Sequence, residues 1–476
     1  MMRFLIIIAA MRRTAVFSAV LLLGLAFTLV SKNPQSDPRL KKSSRAAERN
    51  GWIQVHLEGT PSQIGFQHGY LLAAEIKDNF DALSTEMMHE EKKDWNFFRT
   101  VAQETYWPHV EREYRDEITG IVEGLKARSV KLDLWDIVAL NAWLEQPYYD
   151  KWYDKLHGKQ PAGAGTAEHC SAFAATGSYT KDGRIVIAHN NWTSYSSGER
   201  WNIVFDIAPA QGYRIIMDGA PGLIHSGDDF GVNSAGIVIT ETTIGDFNSF
   251  EPDGIPEFVR ARKAMQYSAS IDDFARIMKE GNTGGYANNW LVADRKNNEV
   301  ASLELGLKNV TLLRTKDGFF VGSNFPNDPK LIQEETSFDP ANKGLSANAR
   351  HARWLTLMEQ YKGKIDIAAG EKFLSDHYDT FEGKNAPSER TLCGHIDLSP
   401  RGAAGWVGPY APVGAVQNKI TDAAGAEKMS FTAALGHACG LDFKVSEHLA
   451  RHPEYAWYQP VLHDMDARAW TRFTAR

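Results

Sequence analysis

The sequence predicts an α+β protein in which helix and sheet layers surround one core. Two patterns support this prediction: residues 60–150 are mostly helical, and strands separated by turns dominate from residue 170 onward, with helices between and after them. Strands enclosed by helices in this order are typical of layered folds. The chain has 476 residues, 43% of them hydrophobic, which is enough to bury a large core.

The N-terminal segment predicts export. Arg12 and Arg13 precede an apolar run over residues 14–30, and a polar, basic stretch follows it. This order is typical of a signal peptide, although the run is long for one and short for a comfortable transmembrane helix. We therefore expect residues 1–31 to be a signal peptide or a signal anchor, and residues 32–50 to be a flexible linker. The rest of the protein is then periplasmic, lumenal or extracellular, and a retained anchor would tether it to the membrane.

Charge and cysteine content narrow the classes of function. A net charge of −7, spread along the chain, gives no basis for nucleic-acid binding. The three cysteines are Cys170, Cys393 and Cys439. In an exported protein the last two could form a disulfide and leave Cys170 as the free thiol. Two free buried thiols fit the sequence equally well.

The first helix after the N-terminal segment has a well-defined start. A strand predicted over residues 52–58 precedes it, with alternating apolar and polar residues. Thr60 is placed to be the N-cap, Pro61 occupies the first helical position, and Gln63 can complete a capping box. Further helices are predicted between residues 95 and 149, where apolar and aromatic residues recur at helical spacing.

One face of the first helix carries an unusual pair of glycines. Gly65 and Gly69 lie one turn apart. Because glycine lowers helix stability, the pair indicates that another backbone or a ligand approaches closely at this face. His68 lies beside them, and it is either a functional residue or a core histidine with satisfied ring nitrogens.

A hairpin that begins at Cys170 is the feature around which the chain is organised. A breaker-rich loop over residues 156–168 leads into it, and Asp182 with Gly183 marks its turn. Near the open end, the second strand carries a polar cluster beside the cysteine: His189, Asn190 and Asn191. A thiol facing amide and imidazole groups is a candidate nucleophile. The alternative is a small hydrophobe buried at a strand start.

The chain beyond the hairpin alternates strands with helices. The strands are predicted over residues 201–208, 212–217, 236–243, 290–294 and 300–305. The helices are predicted over residues 256–267, 272–279, 349–361 and 367–375. The part from residue 392 onward mixes short strands with loops.

Several short motifs occur in a characteristic order along the chain. They are Gly59-Thr60-Pro61, Gly65-Phe66-Gln67-His68-Gly69, Cys170-Ser171-Ala172-Phe173-Ala174, the segments 189–195, 288–294 and 412–419, and Leu303-Glu304. Together they resemble the N-terminal nucleophile hydrolases, in the subgroup of acyl-coenzyme A:6-aminopenicillanic acid acyltransferase and the phospholipase B-like proteins. Segments 189–195 and 412–419 are most similar to the phospholipase B-like branch. The similarity covers most of the chain after residue 51.

The resemblance implies a four-layer αββα sandwich and a proenzyme that cuts its own chain between His169 and Cys170. Residues 51–169 would then form an α chain and residues 170–476 a β chain, and the two would stay associated. The new α-amino group of Cys170 would act as the general base. An unperturbed terminal amine titrates at roughly 7.7–8, so near neutral pH a useful fraction can accept the thiol proton.

The resemblance also implies roles for further residues. Asn289 is expected to donate a hydrogen bond to the oxyanion, with Asn288 as the second candidate. Asn190 or Asn191 is expected to contact the free amine or the substrate, although relatives often have an aspartate in this region. Arg350 is expected to bind substrate or to support the site. The other supporting residues are His189, Trp192 and His68.

We therefore expect an exported, self-processing cysteine hydrolase that cleaves an acyl amide through an acyl-Cys170 intermediate, on a small-molecule or lipid-like substrate. The alternatives are a phospholipase B-like ester hydrolase, an acyltransferase, or an inactive envelope binding protein of the same fold. No cofactor or metal is expected, because His-Glu-x-x-His, phosphate-loop and Gly-x-Ser-x-Gly motifs are missing from the sequence. His225, Asp228 and Asp229 could suggest a metal site, but a turn rich in Asp and Gly accounts for these residues equally well.

Overall fold

The computed structural model describes residues 37–159, 170–227, 230–404 and 406–476. The predicted signal segment over residues 1–31, His169 and the pair Asp228-Asp229 lie outside the described residues. The chain forms two units, Met1–Lys41 and Lys42–Arg476. The described part of the first unit contains a 3-10 turn, Pro38–Leu40, capped by the side chain of Asp37. The second unit carries every feature considered below.

The helices of the second unit follow the predicted order, with ends shifted by a few residues. The capping box predicted for α1 is present, because the Thr60 side chain accepts from the Gln63 backbone and the Gln63 side chain accepts from the Thr60 backbone. The α-helices are α1 Pro61–Leu71, α2 Ala73–Glu91, α3 Trp95–Val101, α4 Arg112–Ala127, α5 Leu134–Asn141, α6 Gln146–Leu156, α7 Tyr195–Gly198, α8 Glu257–Tyr267, α9 Ile271–Lys279, α10 Pro329–Glu335, α11 Ser346–Gln360, α12 Ile367–Leu374, α13 Ala423–Glu427 and α14 Val445–Arg451.

The strands include every one that the sequence predicted, together with others that it did not, such as Ser44–Arg45, Gly231–Asn233, Val310–Thr315 and Gly318–Gly322. They are β1 Ser44–Arg45, β2 Ile53–Gly59, β3 Ser171–Thr176, β4 Val186–Ser194, β5 Ile203–Pro209, β6 Ile215–Gly219, β7 Gly231–Asn233, β8 Ile237–Thr243, β9 Asn288–Asp294, β10 Glu299–Leu305, β11 Val310–Thr315, β12 Gly318–Gly322, β13 Tyr378–Asp379, β14 Lys384–Asn385, β15 Val413–Asp422, β16 Ser430–Leu435 and β17 Thr471–Thr474.

Two large sheets contain nearly all of these strands. Within the described residues, one sheet has nine strands in the order β1-β2-β5-β6-β7-β8-β9-β10-β11, and the other has six in the order β12-β3-β4-β15-β16-β17. Strands β2 and β5 pair in parallel, and the remaining neighbours in both sheets are antiparallel. Strands β13 and β14 form a small separate hairpin. The candidate nucleophile therefore belongs to the six-stranded sheet, through β3.

Apolar side chains fill three spaces between layers. The two sheets face each other across a cluster to which both contribute, for example Ala172, Ile187, Val204 and Leu291. Helices α1–α6, α8 and α9 bury their apolar faces against the outer side of the nine-stranded sheet. Helices α11 and α12 cover the outer side of the six-stranded sheet. The order helix, sheet, sheet, helix confirms the expected four-layer αββα sandwich.

The two glycines of α1 allow a close helix crossing, as their spacing predicted. A Cβ atom on Gly65 would lie 1.8 Å from the backbone oxygen of Glu117, and one on Gly69 would lie 2.0 Å from that of Ile121, both in α4. Glycines of α4 face α1 in turn, for example Gly124. The partner of this helix face is thus another backbone rather than a ligand.

The expectation of a flexible linker over residues 32–50 is wrong for its last part. Ser44 and Arg45 form β1, which pairs with β2 opposite His56 and Val55. The pairing supplies hydrogen-bond partners for the backbone of this segment, so it joins the edge of the nine-stranded sheet.

Among the described helices, none combines the length and the apolar composition that crossing a membrane requires.

Candidate active site

The predicted hairpin around Cys170 is present. Cys170 directly precedes β3, which pairs with β4 in antiparallel register so that Ser171 lies opposite Asn190. Gly183 in the connecting turn has a φ of +74°, a left-handed value that favours glycine. Both strands are buried along their whole length. The polar cluster of β4 consequently lies beside the cysteine.

The thiol of Cys170 lies in a buried polar environment. Its Sγ atom is 3.5 Å from Oδ1 of Asn191. The thiol, the imidazole of His189 and the carboxylate of Glu241 lie within 4.8 Å of one another. Tyr286 donates a hydrogen bond of 2.9 Å to Glu241. Imidazole and carboxylate groups within reach of a thiol can accept or return a proton. Sequence reasoning predicted His189 and Asn191 at this place but missed Glu241.

The backbone nitrogen of Cys170 is held by a side chain that sequence reasoning also missed. It donates a hydrogen bond of 3.1 Å to Oδ1 of Asn324. The amide nitrogen of Asn324 donates to the Thr243 carbonyl at 2.8 Å, which fixes the orientation of the side chain. Asn324 has a φ of +64°, in the left-handed region that asparagine tolerates better than most residues. This backbone conformation becomes visible only in the folded structure, so no pattern in the sequence distinguished Asn324 from other asparagines.

Arg350 binds the other backbone group of Cys170, its carbonyl oxygen. Its Nη1 donates to the Cys170 carbonyl and, at 3.2 Å, to the Ser171 hydroxyl, and its Nη2 donates to Asn324 Oδ1 at 2.8 Å. Its guanidinium carbon lies 4.5 Å above the Trp192 ring, within cation–π range. Burial lowers the pKa of the Arg350 guanidinium to about 9, while the nearby Cys170 opposes this shift. The structure thus brings both predicted residues, Arg350 and Trp192, to the site.

The two candidate oxyanion donors are separated by strand geometry. In β9, Asn289 shares a face with Leu291 and Ala293, which pack between the two sheets. Asn288 shares the opposite face with Trp290, which packs toward the helices. The amide oxygen of Asn289 accepts from a serine, and its amide nitrogen is buried with no hydrogen-bond partner among the described residues. The amide nitrogen of Asn288 is likewise buried without a hydrogen-bond partner among the described residues, so only the strand face distinguishes the two candidates, and it places Asn289 between the sheets.

Asn190 does not belong to the site, contrary to the prediction. Alternate residues of β4 face opposite sides of the sheet, so Asn190 points away from the side that carries His189 and Asn191. Its amide nitrogen donates to the carbonyls of Leu374 and Leu392, at 3.0 and 3.1 Å. Asn190 therefore fixes two loops behind the sheet instead of contacting the nucleophile.

His68 also lies elsewhere. It projects from α1 on the outer side of the nine-stranded sheet, so that sheet separates it from Cys170. Its Nε2 accepts a hydrogen bond of 3.0 Å from the Gly222 backbone, and its ring packs on Phe205 at a centroid distance of 4.9 Å. Burial lowers the pKa of His68 to about 3. It is a neutral core histidine, the second of the two interpretations that its pattern allowed.

A buried ion pair lies between the sheets next to the site. Lys419 pairs with His189 across β15 and β4, and its Nζ lies 2.9 Å from Oδ2 of Asp218, with both side chains fully buried. Ser226 donates to the other oxygen of Asp218 at 2.9 Å, and Lys419 donates to Gln417 at 3.1 Å. These bonds offset part of the desolvation of the two charges. The residues come from distant parts of the sequence, and none of them was predicted as a pair.

A cavity of about 260 Å³ opens beside Asn324 and the start of α11. Asn324 lines it directly, and so does Ser346, whose hydroxyl accepts a hydrogen bond of 3.0 Å from Nε of Arg350. Other lining residues are Asp246, Phe338, Leu345 and Arg401. A substrate in this cavity would reach the residues that hold the backbone of Cys170.

The two remaining cysteines lie outside this site. Cys393 and Cys439 are free thiols in the structure, so of the two arrangements that the sequence allowed, free thiols are the one present. Both contact the imidazole of His395, at 3.5 and 3.4 Å.

The layer order that the resemblance to the N-terminal nucleophile hydrolases implied is present. Two facing sheets lie between helix layers, and Cys170 directly precedes a strand of the six-stranded sheet. The chain belongs to the phospholipase B family, whose family model matches residues 54–387.

Individual relatives match only parts of the chain. An uncharacterized protein of Archaeoglobus fulgidus is 26% identical over 57% of this chain and 45% of its own length. Human phospholipase B-like 1 is 24% identical over 49% of this chain and 47% of its own length. The chain thus spans less than half the length of these relatives. A mutant conjugated bile acid hydrolase from Clostridium perfringens aligns with 56% of this chain and 88% of its own, at 10% identity and a TM-score of 0.31.

Proposed function

We propose that this protein is a self-processing cysteine hydrolase that cleaves an acyl amide bond, with Cys170 as the nucleophile. The observation that carries the proposal is the hydrogen bond from the Cys170 backbone nitrogen to Asn324 Oδ1, at 3.1 Å in a fully buried site. Strand pairing alone does not require a side chain at that nitrogen. An amine released by cleavage would keep this partner and would be oriented toward its own thiol.

Self-processing would begin with attack of the Cys170 Sγ on the carbonyl carbon of His169. The C–N bond to Cys170 breaks, its nitrogen takes up a proton to become the free amine, and a thioester forms. Water then hydrolyses the thioester, which releases the carboxylate of His169 and restores the thiol. The positive charge of Arg350, bound to the Cys170 carbonyl, favours the anionic form of the adjacent thiol during this step.

Substrate cleavage would repeat the same chemistry on an acyl amide. The α-amine accepts the thiol proton, Sγ attacks the acyl carbon, and the leaving amine departs with that proton as the acyl-Cys170 thioester forms. Water hydrolyses the thioester to the free acid. The Asn289 amide nitrogen is the candidate donor to the oxyanion, since it is buried between the sheets without another partner among the described residues.

The fold supports continued association of the two chains after cleavage. Strand β2, from the α chain, pairs with β5 of the β chain over residues Ile53–Gly59 and Ile203–Pro209. Helix α1 buries its apolar face in the same layer. Cleavage before Cys170 would break one covalent bond and leave these contacts in place. The apolar run over residues 14–30 supports export as part of the same proposal.

A second pocket favours an alternative substrate, an anionic amphiphile such as a phospholipid ester. It has a volume of about 660 Å³, and its lining combines four lysines with aromatic residues: Lys151, Lys155, Lys159, Lys308, Trp152 and Phe250. Cationic side chains attract a phosphate group, and the aromatic rings can pack on acyl chains. Cleavage of an ester would use the same acyl-Cys170 intermediate. An inactive binding protein of the same fold is the remaining alternative.

The test is intact-mass analysis and N-terminal sequencing of the wild type, Cys170→Ala and a control, Ser178→Ala, in the exposed turn of the same hairpin. We expect two associated fragments, one starting at Cys170, for the wild type and the control, and one uncut chain for Cys170→Ala. The processed enzyme should then release acid from acyl-amide substrates. An uncut wild type would overturn the free-amine mechanism, and a cut wild type that hydrolyses only phospholipid esters would favour the alternative.

A further inference from the structure

Three loops behind the six-stranded sheet bring two cysteines and two histidines together. His377 follows α12, Cys393 and His395 lie in the loop that begins after β14, and Cys439 follows β16. One ligand atom of each of the four residues lies within 4.8 Å of those of the other three. Cys393 and His395 are fully buried, and the other two are partly buried. None of these residues contributes to the proposed hydrolysis.

The distances match the edges of a metal tetrahedron. Nε2 of His395 lies 3.5 Å from the sulfur of Cys393 and 3.4 Å from that of Cys439. Tetrahedral zinc, with Zn–S near ~2.3 Å and Zn–N near ~2.0–2.1 Å, separates its sulfur and nitrogen ligands by about 3.5 Å. We propose that His377, Cys393, His395 and Cys439 bind one Zn²⁺ ion in a closed, structural site. This assignment revises the expectation, drawn from the sequence, that the protein has no metal.

The surroundings of His395 support this assignment. Its Nδ1 lies 3.8 Å from Oδ1 of Asp397, beyond hydrogen-bond range, and its Nε2 lies close to both sulfurs. The hydroxyl of Tyr195 lies 2.7 Å from Oδ1 of Asp397 and 3.0 Å from Nε2 of His437, and its one proton can serve either acceptor. The rings of His377 and His395 are packed nearly edge to face, 5.0 Å apart.

A nearby histidine is not a ligand. His437 lies close to His395, with ring centroids 4.1 Å apart. Both of its nitrogens are engaged, Nε2 with the Tyr195 hydroxyl at 3.0 Å and Nδ1 with the Leu441 carbonyl at 2.9 Å. The set of four ligands therefore consists of two thiols and two imidazoles. Four protein ligands leave no open position, which is typical of a structural zinc site rather than a catalytic one.

The proposed zinc site lies directly behind the candidate nucleophile. Gly394, between two of the ligands, packs so closely on Trp192 that a Cβ atom there would be 2.2 Å from its ring. Arg350 packs its guanidinium group on the Trp192 ring and donates a hydrogen bond to the Cys170 carbonyl. Asn190 ties the loop that precedes Cys393 to the same sheet, through the Leu392 carbonyl. A metal that fixes these loops would hold Trp192 and Arg350 in position.

A disulfide between Cys393 and Cys439 is the competing arrangement, and it is the common one in exported proteins. It would join the two sulfurs and leave both imidazoles without a function. The position of His395 Nε2, nearly equidistant from the two sulfurs, is that of a third ligand and is not explained by a disulfide.

The test measures metal content, thiol state and the cobalt spectrum of the full-length protein. We expect one zinc ion per protein molecule in the wild type and in Cys170→Ala, because both keep the four ligands. We expect Cys439→Ser to lose that ion. Replacement of zinc by Co²⁺ in the wild type should give the thiolate charge-transfer and tetrahedral d–d bands of a two-sulfur site. The cobalt measurement needs no variant, so misfolding of Cys439→Ser would not obscure the result.

Two outcomes would overturn the zinc site. One is a metal-free wild type whose mass is lower by two hydrogens, with Cys393 and Cys439 in one disulfide-linked peptide. The other is a zinc content that Cys439→Ser leaves unchanged. Because Cys170→Ala tests the metal without the nucleophile, failure of the zinc site and failure of the proposed hydrolysis are distinguishable.

Discussion

Replacement of Asn324 by aspartate tests the proposed general base most directly. Asn324 Oδ1 lies 3.1 Å from the nitrogen of Cys170, which would be a free amine in the processed enzyme. Asn324→Asp keeps the acceptor oxygen and adds a negative charge beside that amine. An adjacent anion stabilises the protonated amine, so the pKa of the amine should rise and its ability to take the thiol proton at neutral pH should fall.

The size of the effect follows from the distances. Two unit charges 3.1 Å apart attract by about 5 kcal/mol at an effective dielectric constant of about 20. The actual gain is smaller, because Nη2 of Arg350 lies 2.8 Å from the same oxygen and shares the new charge. We therefore expect the amine pKa to rise by about 1–3 units. The variant also loses the amide donor to the Thr243 carbonyl, at about 1 kcal/mol of stability.

The assay is the pH dependence of kcat/KM for an acyl-amide substrate, measured after intact-mass analysis has confirmed that the variant is processed. The acid limb of the profile should move to higher pH by about 1–3 units in Asn324→Asp, with activity recovered at alkaline pH. Asn348→Asp is the control, since its amide also donates to backbone carbonyls, at 3.0 and 2.7 Å, without contacting Cys170. An acid limb that stays in place in processed Asn324→Asp would refute the α-amine as the base.

Two further predictions concern stability. Gly69→Ala should lower the free energy of unfolding by about 1–3 kcal/mol in a denaturant titration, because the added Cβ would lie 2.0 Å from the Ile121 carbonyl oxygen. Gly344→Ala is the control, since the nearest neighbour of its Cβ would be 3.4 Å away. Equal losses of stability in both variants would contradict the packing argument. Burial raises the pKa of Glu145, which accepts from the Glu257 backbone at 2.6 Å, to about 7. The folded protein then keeps a proton that the unfolded chain loses near pH 4.5, so stability falls by about 1.4 kcal/mol per pH unit as pH rises toward 7. Glu145→Gln should remove this dependence of stability on pH. If stability fell equally with pH in the wild type and in Glu145→Gln, Glu145 would not be the group responsible.

Local patterns in the sequence were sufficient for most of the elements. The capping residues of α1, the Asp-Gly turn of the hairpin and the alternation along β9 each depend on neighbours a few residues away, so their geometry follows from the chain itself. The paired glycines Gly65 and Gly69 also predicted a close approach correctly, because a glycine pair on one helix face has few other uses. The strand partner of residues 44–45 could not be predicted, since two polar residues carry no pairing signal.

The composition of the site was decided mainly by tertiary structure. The sequence placed Cys170 beside His189 and Asn191, because a hairpin brings its own ends together. It could not place Asn324, which lies 154 residues from its partner Cys170, or Glu241, whose carboxylate reaches the thiol from the other sheet. Their positions depend on how two sheets pack, and no local pattern encodes that packing.

The same contrast between local sequence pattern and tertiary packing holds for the cysteine and histidine cluster behind the six-stranded sheet. The sequence offered Cys393 and Cys439 either as a disulfide or as two free thiols, and it gave no reason to add His377 or His395. Three separate loops must come together behind the six-stranded sheet before the four side chains meet. What the sequence by itself determined is therefore the order of the elements and the choice of Cys170 as the candidate nucleophile. Only the packing of distant segments decided which side chains surround that nucleophile and which form a second cluster, because contacts between residues far apart in sequence arise from the fold as a whole.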